Sequence, residues 1–468
     1  MKSFDNMLFT IVSARKAFYR ITLACLMALT LFSAALGGGI TPVLASAGQG
    51  TIAYVRDVDA TGDEIRLVEP DGSNDRLLWK TNMPLNGLQQ IFSLAWRPDA
   101  ADLAFASRHE DACSLYSSDV YTIHADGTGS RRVTAGPTCG NRTGLPTGNV
   151  IINIQNYTDE TGPFLVYFEG APGPQSVTVA PGDSATVAFT NVADYGNFKQ
   201  WGVVMFGQYR FMSAYANADV LPGKTVTAGS SIPMTFAYTN WGWTSPSWNS
   251  DGSQISYIFN GLTPYSIPSS ITDPGMIGLL LFNVPIGSYP SSQRFLSWAP
   301  PGPRANQVLY IAWASDFNTY IYLGTAGSTS YGEPLVNVDP DDWGNYPLGL
   351  AWLPDSSGFL YSKTEGFGHN ANIYEYSFAT GTSTRLTDFT SGFPRQMSVS
   401  PDGTQVVFEY QATGEWSDYA YSLDLYMMDR YGNSTLFVEN ARAPAWSPVA
   451  VPGPVVYDHQ VFIPAVRK

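Results

Sequence analysis

A motif that recurs about every 50 residues constrains the fold of this chain more than any other feature of its sequence. Each copy is a short apolar strand that ends in Trp, followed by a turn with Pro, Asp or Gly and then by a second strand. The copies centre on Trp96, Trp248, Trp298, Trp352, Val399 and Trp446, with Val399 in place of the aromatic residue. Because periods of roughly 20 to 50 residues indicate solenoids, propellers or arrays, the repeat narrows the fold class first.

Two more short strands complete each repeat. In the first copy, the strand after the turn is Leu103–Ala106, and Asp119–Ile123 and Arg131–Thr134 follow it, with an Asp-Gly turn before the last. Asp-Gly pairs supply the positive-φ backbone that hairpin turns need. Four short strands per repeat are typical of one propeller blade. The sequence therefore predicts an all-β fold whose main body is a six-bladed β-propeller.

The two ends of the repeat region predict how the ring closes. Thr51–Val55 matches the second strand of a repeat rather than the first. A first strand without a partner occurs near the other end, at Ala443–Pro448. Pairing of these two segments would complete the first blade and hide two sheet edges.

One spacing between motif copies is too long for a single repeat. Trp96 and Trp248 are 152 residues apart, whereas the other copies are 47 to 54 residues apart. The excess of about 100 residues predicts an inserted domain, and its short alternating strands are typical of a small β-sandwich. We therefore divide the chain into a signal peptide at 1–47, propeller blades 1–2 at 48–140, an inserted β-sandwich at 141–232, blades 3–6 with the closing strand at 233–449, and a C-terminal tail at 450–468.

Three sequence blocks point to a known family. They are Trp96-Arg97-Pro98-Asp99, Asp119–Gly129 and Val399-Ser400-Pro401-Asp402-Gly403. These blocks resemble the TolB-like (WD40-like) β-propeller repeat of secreted bacterial proteins, and the resemblance covers roughly residues 51–138 and 240–449. It implies a propeller. Because the family spans periplasmic interaction domains, cell-surface proteins and the propellers of some peptidases, it leaves the function open.

The first residues have the order of a secretory signal peptide. A basic lead precedes an apolar run from Ile21 to Gly38, and Ala45-Ser46-Ala47 supplies a small-residue cleavage site. An uncleaved anchor is the alternative, because the run is about 18 residues long. We expect cleavage, no stable membrane span afterwards, and a secreted, periplasmic or cell-surface protein.

The residues after the last motif copy leave the repeat. The segment Val461–Val466 is apolar and is followed by Arg467 and Lys468. An extended tail and a strand packed on the propeller are both compatible with this pattern.

Two cysteines, Cys113 and Cys139, follow the signal segment. Cys113 lies in a loop between the second and third strands of a repeat, and Cys139 lies in the connection into the insert. Because strands alternate in direction, both connections lie on one face of the propeller. In an oxidising compartment such a pair favours a disulfide at the base of the insert. Two free buried thiols are the alternative.

The segment Asp57–Glu64 is the best candidate for a metal site. Asp57, Asp59 and Asp63 surround a Gly at the sixth place, a pattern that can wrap oxygen ligands around Ca²⁺. The twelfth place holds Val68 instead of Glu, which excludes an EF-hand. A plain acidic turn without metal is the alternative, and the sequence predicts no other cofactor.

Composition and missing motifs exclude several functions. A net charge of −14 argues against nucleic acid, since phosphate binding needs a clustered basic surface. The sequence contains no Gly-x-Ser-x-Gly, His-Glu-x-x-His or phosphate-loop motif, so it predicts no catalytic residues. We expect a non-catalytic module that binds a protein or glycan partner at a propeller face. The alternatives are a carbohydrate-active hydrolase or lyase that uses carboxylates in the propeller channel, and a structural envelope protein.

Overall fold

The computed structural model describes residues 50–451 except for 59–61, 82–90, 108, 110–117, 135–143, 158–160, 162, 174, 197–199, 207–209, 229–231, 234, 237–242, 260–262, 272–277, 282–294, 314–317, 339–345, 367 and 414–422. The predicted signal peptide and residues 452–468 of the predicted tail lie outside the described residues. All regular secondary structure within them is β-strand, with no α-helix. The all-β fold class predicted from the sequence is therefore confirmed.

Short antiparallel strands begin directly after residue 51. The first seven are β1 (Ile52–Val58), β2 (Gly62–Val68), β3 (Arg76–Lys80), β4 (Ile91–Trp96), β5 (Asp102–Ser107), β6 (Asp119–His124) and β7 (Arg131–Arg132). Strands β4 to β7 form one four-stranded sheet in chain order, which we call S2. Strands β1 to β3 are part of another sheet, S1.

Residues 147–236 form two different sheets that share one core. Their strands are β8 (Thr147–Gln155), β9 (Phe164–Phe168), β10 (Gln175–Val177), β11 (Ser184–Ala193), β12 (Gln200–Phe206), β13 (Arg210–Ala218), β14 (Thr225–Thr227), β15 (Ile232–Pro233) and β16 (Thr235–Phe236). One sheet has the order β10-β9-β12-β13-β16, and the other has β11-β8-β14 with β15 also paired to β8. Alternate residues such as Val150 and Ile152 of β8 meet Phe164 and Phe168 of β9 in the core.

Four-stranded antiparallel sheets then resume and continue to residue 446. Their strands are β17 (Trp243–Trp248), β18 (Gln254–Phe259), β19 (Thr263–Pro268) and β20 (Leu279–Leu280) in sheet S3; β21 (Leu296–Trp298), β22 (Gln307–Trp313), β23 (Thr319–Thr325) and β24 (Glu333–Asn337) in S4; β25 (Pro347–Trp352), β26 (Gly358–Glu365), β27 (Asn370–Ser377) and β28 (Thr382–Arg385) in S5; and β29 (Phe393–Val399), β30 (Gln405–Gln411), β31 (Asp424–Asp429) and β32 (Ser434–Val438) in S6. The last strand, β33 (Ala441–Trp446), completes S1 by pairing with β1.

The pairing of β33 with β1 joins the two ends of the repeat region, as the sequence predicted. Ile52 lies opposite Trp446, and the two strands run antiparallel. The first strands of the six sheets contact one another in a closed cycle that runs β33, β4, β17, β21, β25, β29 and back to β33. Sheets that are arranged radially around their first strands are typical of a β-propeller.

A separate hydrophobic core lies at each contact between neighbouring sheets. Phe105 of S2 packs with residues of S1, and Phe359 of S5 packs with residues of S4. Each of these two side chains is fully buried, which stabilises the fold by about 1.5–3 kcal/mol relative to exposure. The remaining four contacts are filled in the same way. Both faces of each sheet are therefore buried, which explains why the middle strands are almost continuously apolar.

Candidate binding channel

The last residues of the six first strands line a channel with a volume of about 540 Å³. Each strand contributes residues just before the motif position, the motif residue itself, and the residue two places beyond it. We call the last set, which encircles one end of the channel, the channel mouth: Pro98, Ser250, Pro300, Pro354, Pro401 and Pro448. All six sheets therefore contribute to one site.

The motif tryptophans hold neighbouring sheets together beside this channel. All five are between 6% and 8% exposed. Three donate their indole N–H to the carbonyl oxygen just before the motif position on the neighbouring first strand: Trp96 to Ala445 at 3.1 Å, Trp248 to Ala95 at 3.1 Å and Trp352 to Ser297 at 2.8 Å. Trp298 instead donates to the Ser256 hydroxyl at 2.7 Å. The tryptophans are thus structural anchors that leave little of their surface to the channel.

The channel lining is uncharged. Its described residues are apolar, proline or serine, together with the amide of Gln396, and none is Asp, Glu, His, Lys or Arg. Two of the serines are themselves held in place: Ser247 Oγ accepts the backbone N–H of Trp298 at 3.0 Å, and Ser398 Oγ accepts that of Trp446 at 2.9 Å. Such a lining suits an uncharged ligand.

Acidic residues follow the channel mouth at four of the six turns. We call this set the acidic rim: Asp99, Asp251, Asp355 and Asp402, all of them exposed. The Asp355 carboxylate accepts hydrogen bonds from the hydroxyl and the backbone N–H of Ser357 at 2.7 and 2.9 Å, and these bonds lower its pKa. Hydrogen bonds from Ser253 lower the pKa of Asp251 in the same way. Both carboxylates therefore stay charged at neutral pH.

The beginning of one of these first strands, β33, takes part in a buried ion pair. Arg442 of β33 is 2% exposed and donates to Asp63 Oδ2 at 2.6 Å and to the carbonyl of Ile91. Asp63 Oδ2 also accepts the Ile91 backbone N–H at 2.7 Å. This cluster joins β33 and β2 of S1 to β4 of S2.

A buried carboxylate joins β33 to the sheet on its other side. Glu409 of S6 accepts the Ala443 N–H at 2.6 Å and the Gln396 N–H at 3.3 Å. Burial raises the pKa of the Glu409 carboxyl, and the nearby Arg395 and Arg442 act in the opposite direction. Because the hydrogen bonds of these buried charges lie across both sides of β33, we assign this cluster to closure of the ring.

The predicted metal-site residues are only partly placed by the structure. Asp63 is 3% exposed and engaged by Arg442, and Asp57 lies opposite it in the β1–β2 pairing. The Asp57 side chain and the whole of Asp59 lie outside the described residues. Among the part of the chain that is described, no group of three His, Cys, Asp or Glu is arranged to hold a metal ion. A Ca²⁺ site at Asp57, Asp59 and Asp63 stays a prediction.

The predicted disulfide also stays a prediction, because Cys113 and Cys139 both lie outside the described residues.

The sequence analysis did not identify Arg442 and Glu409 as members of a buried charge cluster. The available signal was a charged residue in an otherwise apolar strand, as in Ala441–Trp446 and in Val406–Glu409. Such a charge, once buried, needs a partner.

Comparisons with solved structures find β-propeller proteins. TolB from Acinetobacter baumannii is 15% identical, with 85% of this chain and 66% of that chain covered and a TM-score of 0.44. A gluconolactonase from Xanthomonas campestris is 12% identical, with 85% and 89% covered and a TM-score of 0.39. The β-propeller domain of the Trilobed protease from Pyrococcus furiosus is 9% identical, with 83% and 99% covered and a TM-score of 0.33.

Neither models of known protein families nor curated proteins match the sequence. The predicted resemblance to TolB-like β-propellers is confirmed, and at these identities the likeness concerns the fold alone. No helix among the described residues is long and apolar enough to cross a membrane.

Proposed function

We propose that this protein is a secreted or cell-envelope binding module whose channel accepts an uncharged, extended segment of a protein partner. In this proposal each of the sheets S1 to S6 is one blade of a six-bladed propeller. Residues 141–232 form an inserted β-sandwich that offers a second surface. The protein is not an enzyme.

The uncharged lining of the channel carries this proposal. A peptide segment without charges loses little hydration when it enters such a lining, and its backbone can bond to serine hydroxyls and to Gln396. Acid–base catalysis instead needs a titratable group within hydrogen-bond reach of the substrate. The described lining offers hydroxyl and amide groups, which suit binding.

The positions of the tryptophans favour a peptide over a glycan. Recognition of sugar rings uses exposed aromatic faces, whereas the five motif tryptophans are 6–8% exposed and bonded to neighbouring strands. Proline is the commonest residue at the channel mouth, and its rigid ring loses no side-chain entropy on binding. A peptide partner therefore matches the lining better.

Binding to two arrays tests the proposal. The full chain is applied to an array of uncharged, proline-containing octapeptides and to an array of neutral oligosaccharides. We expect peptides to bind and oligosaccharides to remain unbound and uncleaved. Binding or cleavage of oligosaccharides without any peptide binding would contradict the proposal.

A matched pair of variants tests whether the peptide binds in the channel. Ser250→Trp places a large ring at the channel mouth, whereas Ser176→Trp places the same ring on exposed β10. Peptide affinity should fall at least tenfold in the first variant and stay within twofold in the second. Equal affinities in the two variants would place the peptide site elsewhere.

A further inference from the structure

The chain leaves its described part beside the channel mouth. Pro448 belongs to the mouth, and Val451 follows three residues later, 5% exposed. The backbone N–H of Val451 donates to Thr51 Oγ1 at 3.3 Å, and the N–H of Thr51 donates to Ser447 Oγ at 2.8 Å. Val451, the last described residue, therefore lies close to the channel mouth.

The sequence beyond that point contains a segment that matches the channel lining. Val461–Val466 reads Val-Phe-Ile-Pro-Ala-Val, which is six residues without a charge or a polar side chain. A channel lined by apolar residues, proline and serine can desolvate such a segment at little cost.

The charges next to this segment match the charges next to the channel. Arg467 and Lys468 follow the apolar residues directly. The acidic rim surrounds the channel mouth, and hydrogen bonds lower the pKa of Asp251 and Asp355, so these carboxylates are charged at neutral pH. A segment that lies in the channel with its C-terminal end at the mouth would place Arg467 and Lys468 next to these carboxylates.

The chain between Val451 and the apolar segment is long enough for the segment to reach the channel. Ten residues, 452 to 461, extend to at most about 33 Å. A four-stranded sheet is about 15 Å wide between its first and last strands. A short connection also keeps the local concentration of the segment on the order of millimolar.

We propose that residues 461–468 bind in the channel of their own chain and compete there with other peptides. The inference rests on the proposed peptide-binding function and adds its regulation. At a millimolar local concentration, a segment with an intrinsic Kd of about 100 μM would weaken a competing peptide roughly tenfold.

Titration with a labelled peptide tests this. The probe is the synthetic octapeptide Val-Phe-Ile-Pro-Ala-Val-Arg-Lys, and the proteins are the full chain and its Phe462→Asp/Ile463→Asp variant. Because the variant's own segment no longer competes, we expect it to bind the probe about tenfold more tightly than the unchanged chain. Adding Ser250→Trp to this variant should abolish the gain, and adding Ser176→Trp should preserve it.

The outcomes separate this inference from the proposed function. Equal affinity of both proteins for the probe, while array peptides still bind, overturns the inference and leaves the channel as a peptide site. Absence of binding by any peptide overturns both. A dimer in light scattering that dissociates in the Phe462→Asp/Ile463→Asp variant also overturns the inference, because the segment would then bind a second copy.

A second set of variants tests the role of the acidic rim independently. Asp251→Asn/Asp355→Asn removes two rim charges and keeps an oxygen acceptor for each turn. Asp71→Asn/Asp126→Asn removes two charges from similar turns between third and fourth strands. In the Phe462→Asp/Ile463→Asp background, the rim pair should weaken probe binding about threefold to tenfold in 0.1 M salt and much less in 1 M salt, because salt screens exposed charges. An equal loss with the control pair would contradict the role of the rim.

Discussion

The two halves of β33 lie in surroundings of very different charge. At the beginning of β33, Arg442 is 2% exposed and pairs at 2.6 Å with Asp63 of β2, which is 3% exposed. Toward the motif position the described lining of the channel has no charged residue. The beginning of β33 thus helps to close the ring, whereas the ends of all six first strands line the channel.

The difference follows from the cost of burying polar groups. A buried charge is tolerated only when a partner and hydrogen bonds offset its lost hydration, and Arg442, Asp63 and Glu409 all satisfy this condition. The charged groups of this cluster are bonded to one another and to backbone groups of the neighbouring strands. The serines and prolines of the other half cost less to desolvate than charged groups do, so this half exchanges water for a ligand more readily.

Arg442→Met should have the largest effect on stability. It removes the positive partner and leaves Asp63 buried and charged, which we expect to lower the free energy of unfolding by about 3–5 kcal/mol. Urea unfolding followed by tryptophan fluorescence measures this. Peptide binding by the folded fraction should be unchanged, because Arg442 does not line the channel.

The double variant Arg442→Met/Asp63→Asn is the control. It removes both charges and leaves an amide oxygen for the Ile91 N–H. It should recover a large part of the lost stability, and a double-mutant cycle quantifies the coupling. If the single and double variants were equally unstable, charge pairing would not explain the role of Arg442.

Trp352→Phe should have an intermediate effect. It deletes the indole N–H that bonds to the carbonyl of Ser297 and leaves that oxygen without this donor, so we expect a loss of about 1–3 kcal/mol. Trp96→Phe removes the equivalent bond to Ala445 between other sheets. The two losses should add within about 0.5 kcal/mol, since the sites share no partner. A strongly non-additive result would mean that the contacts between sheets are coupled around the ring.

The strands were predictable because their signals are local. Asp119–Ile123 was predicted as the third strand of its repeat, and β6 spans Asp119–His124. The closing pair was predictable for a related reason, since the repeat itself shows which strand is missing at each end. Hydrophobic patterning and turn residues act over a few positions, and the same local signals recur in each repeat of the ring.

The charge cluster was not predictable because its partners are remote in sequence. Asp63 and Arg442 are 379 residues apart, and no residue near Asp63 in the sequence points to Arg442 as its partner. Its neighbours instead suggested an acidic turn or a Ca²⁺ loop. The uncharged lining of the channel was not predicted, because the repeated motif is a packing signal in each single copy. Only the closed ring brings the six copies together into one lining.

Glu409→Gln should have the smallest effect, which appears as a change in pH dependence. Burial raises the pKa of Glu409 in the folded state above the usual 4.5 that holds when the chain is unfolded. Between these two pKa values the folded state binds more protons, so the free energy of unfolding falls as pH rises from 4.5 through the raised pKa and this contribution then levels off. One group contributes a slope of at most about 1.4 kcal/mol per pH unit.

The Gln variant keeps an oxygen acceptor for the Ala443 N–H but has no such slope, so its free energy of unfolding should fall less than that of the unchanged chain over this pH window. Urea unfolding at pH values from about 4 to 7 measures both curves. Parallel curves would show that Glu409 titrates alike in the two states, and would remove it from the cluster that sets one half of the strands apart from the other.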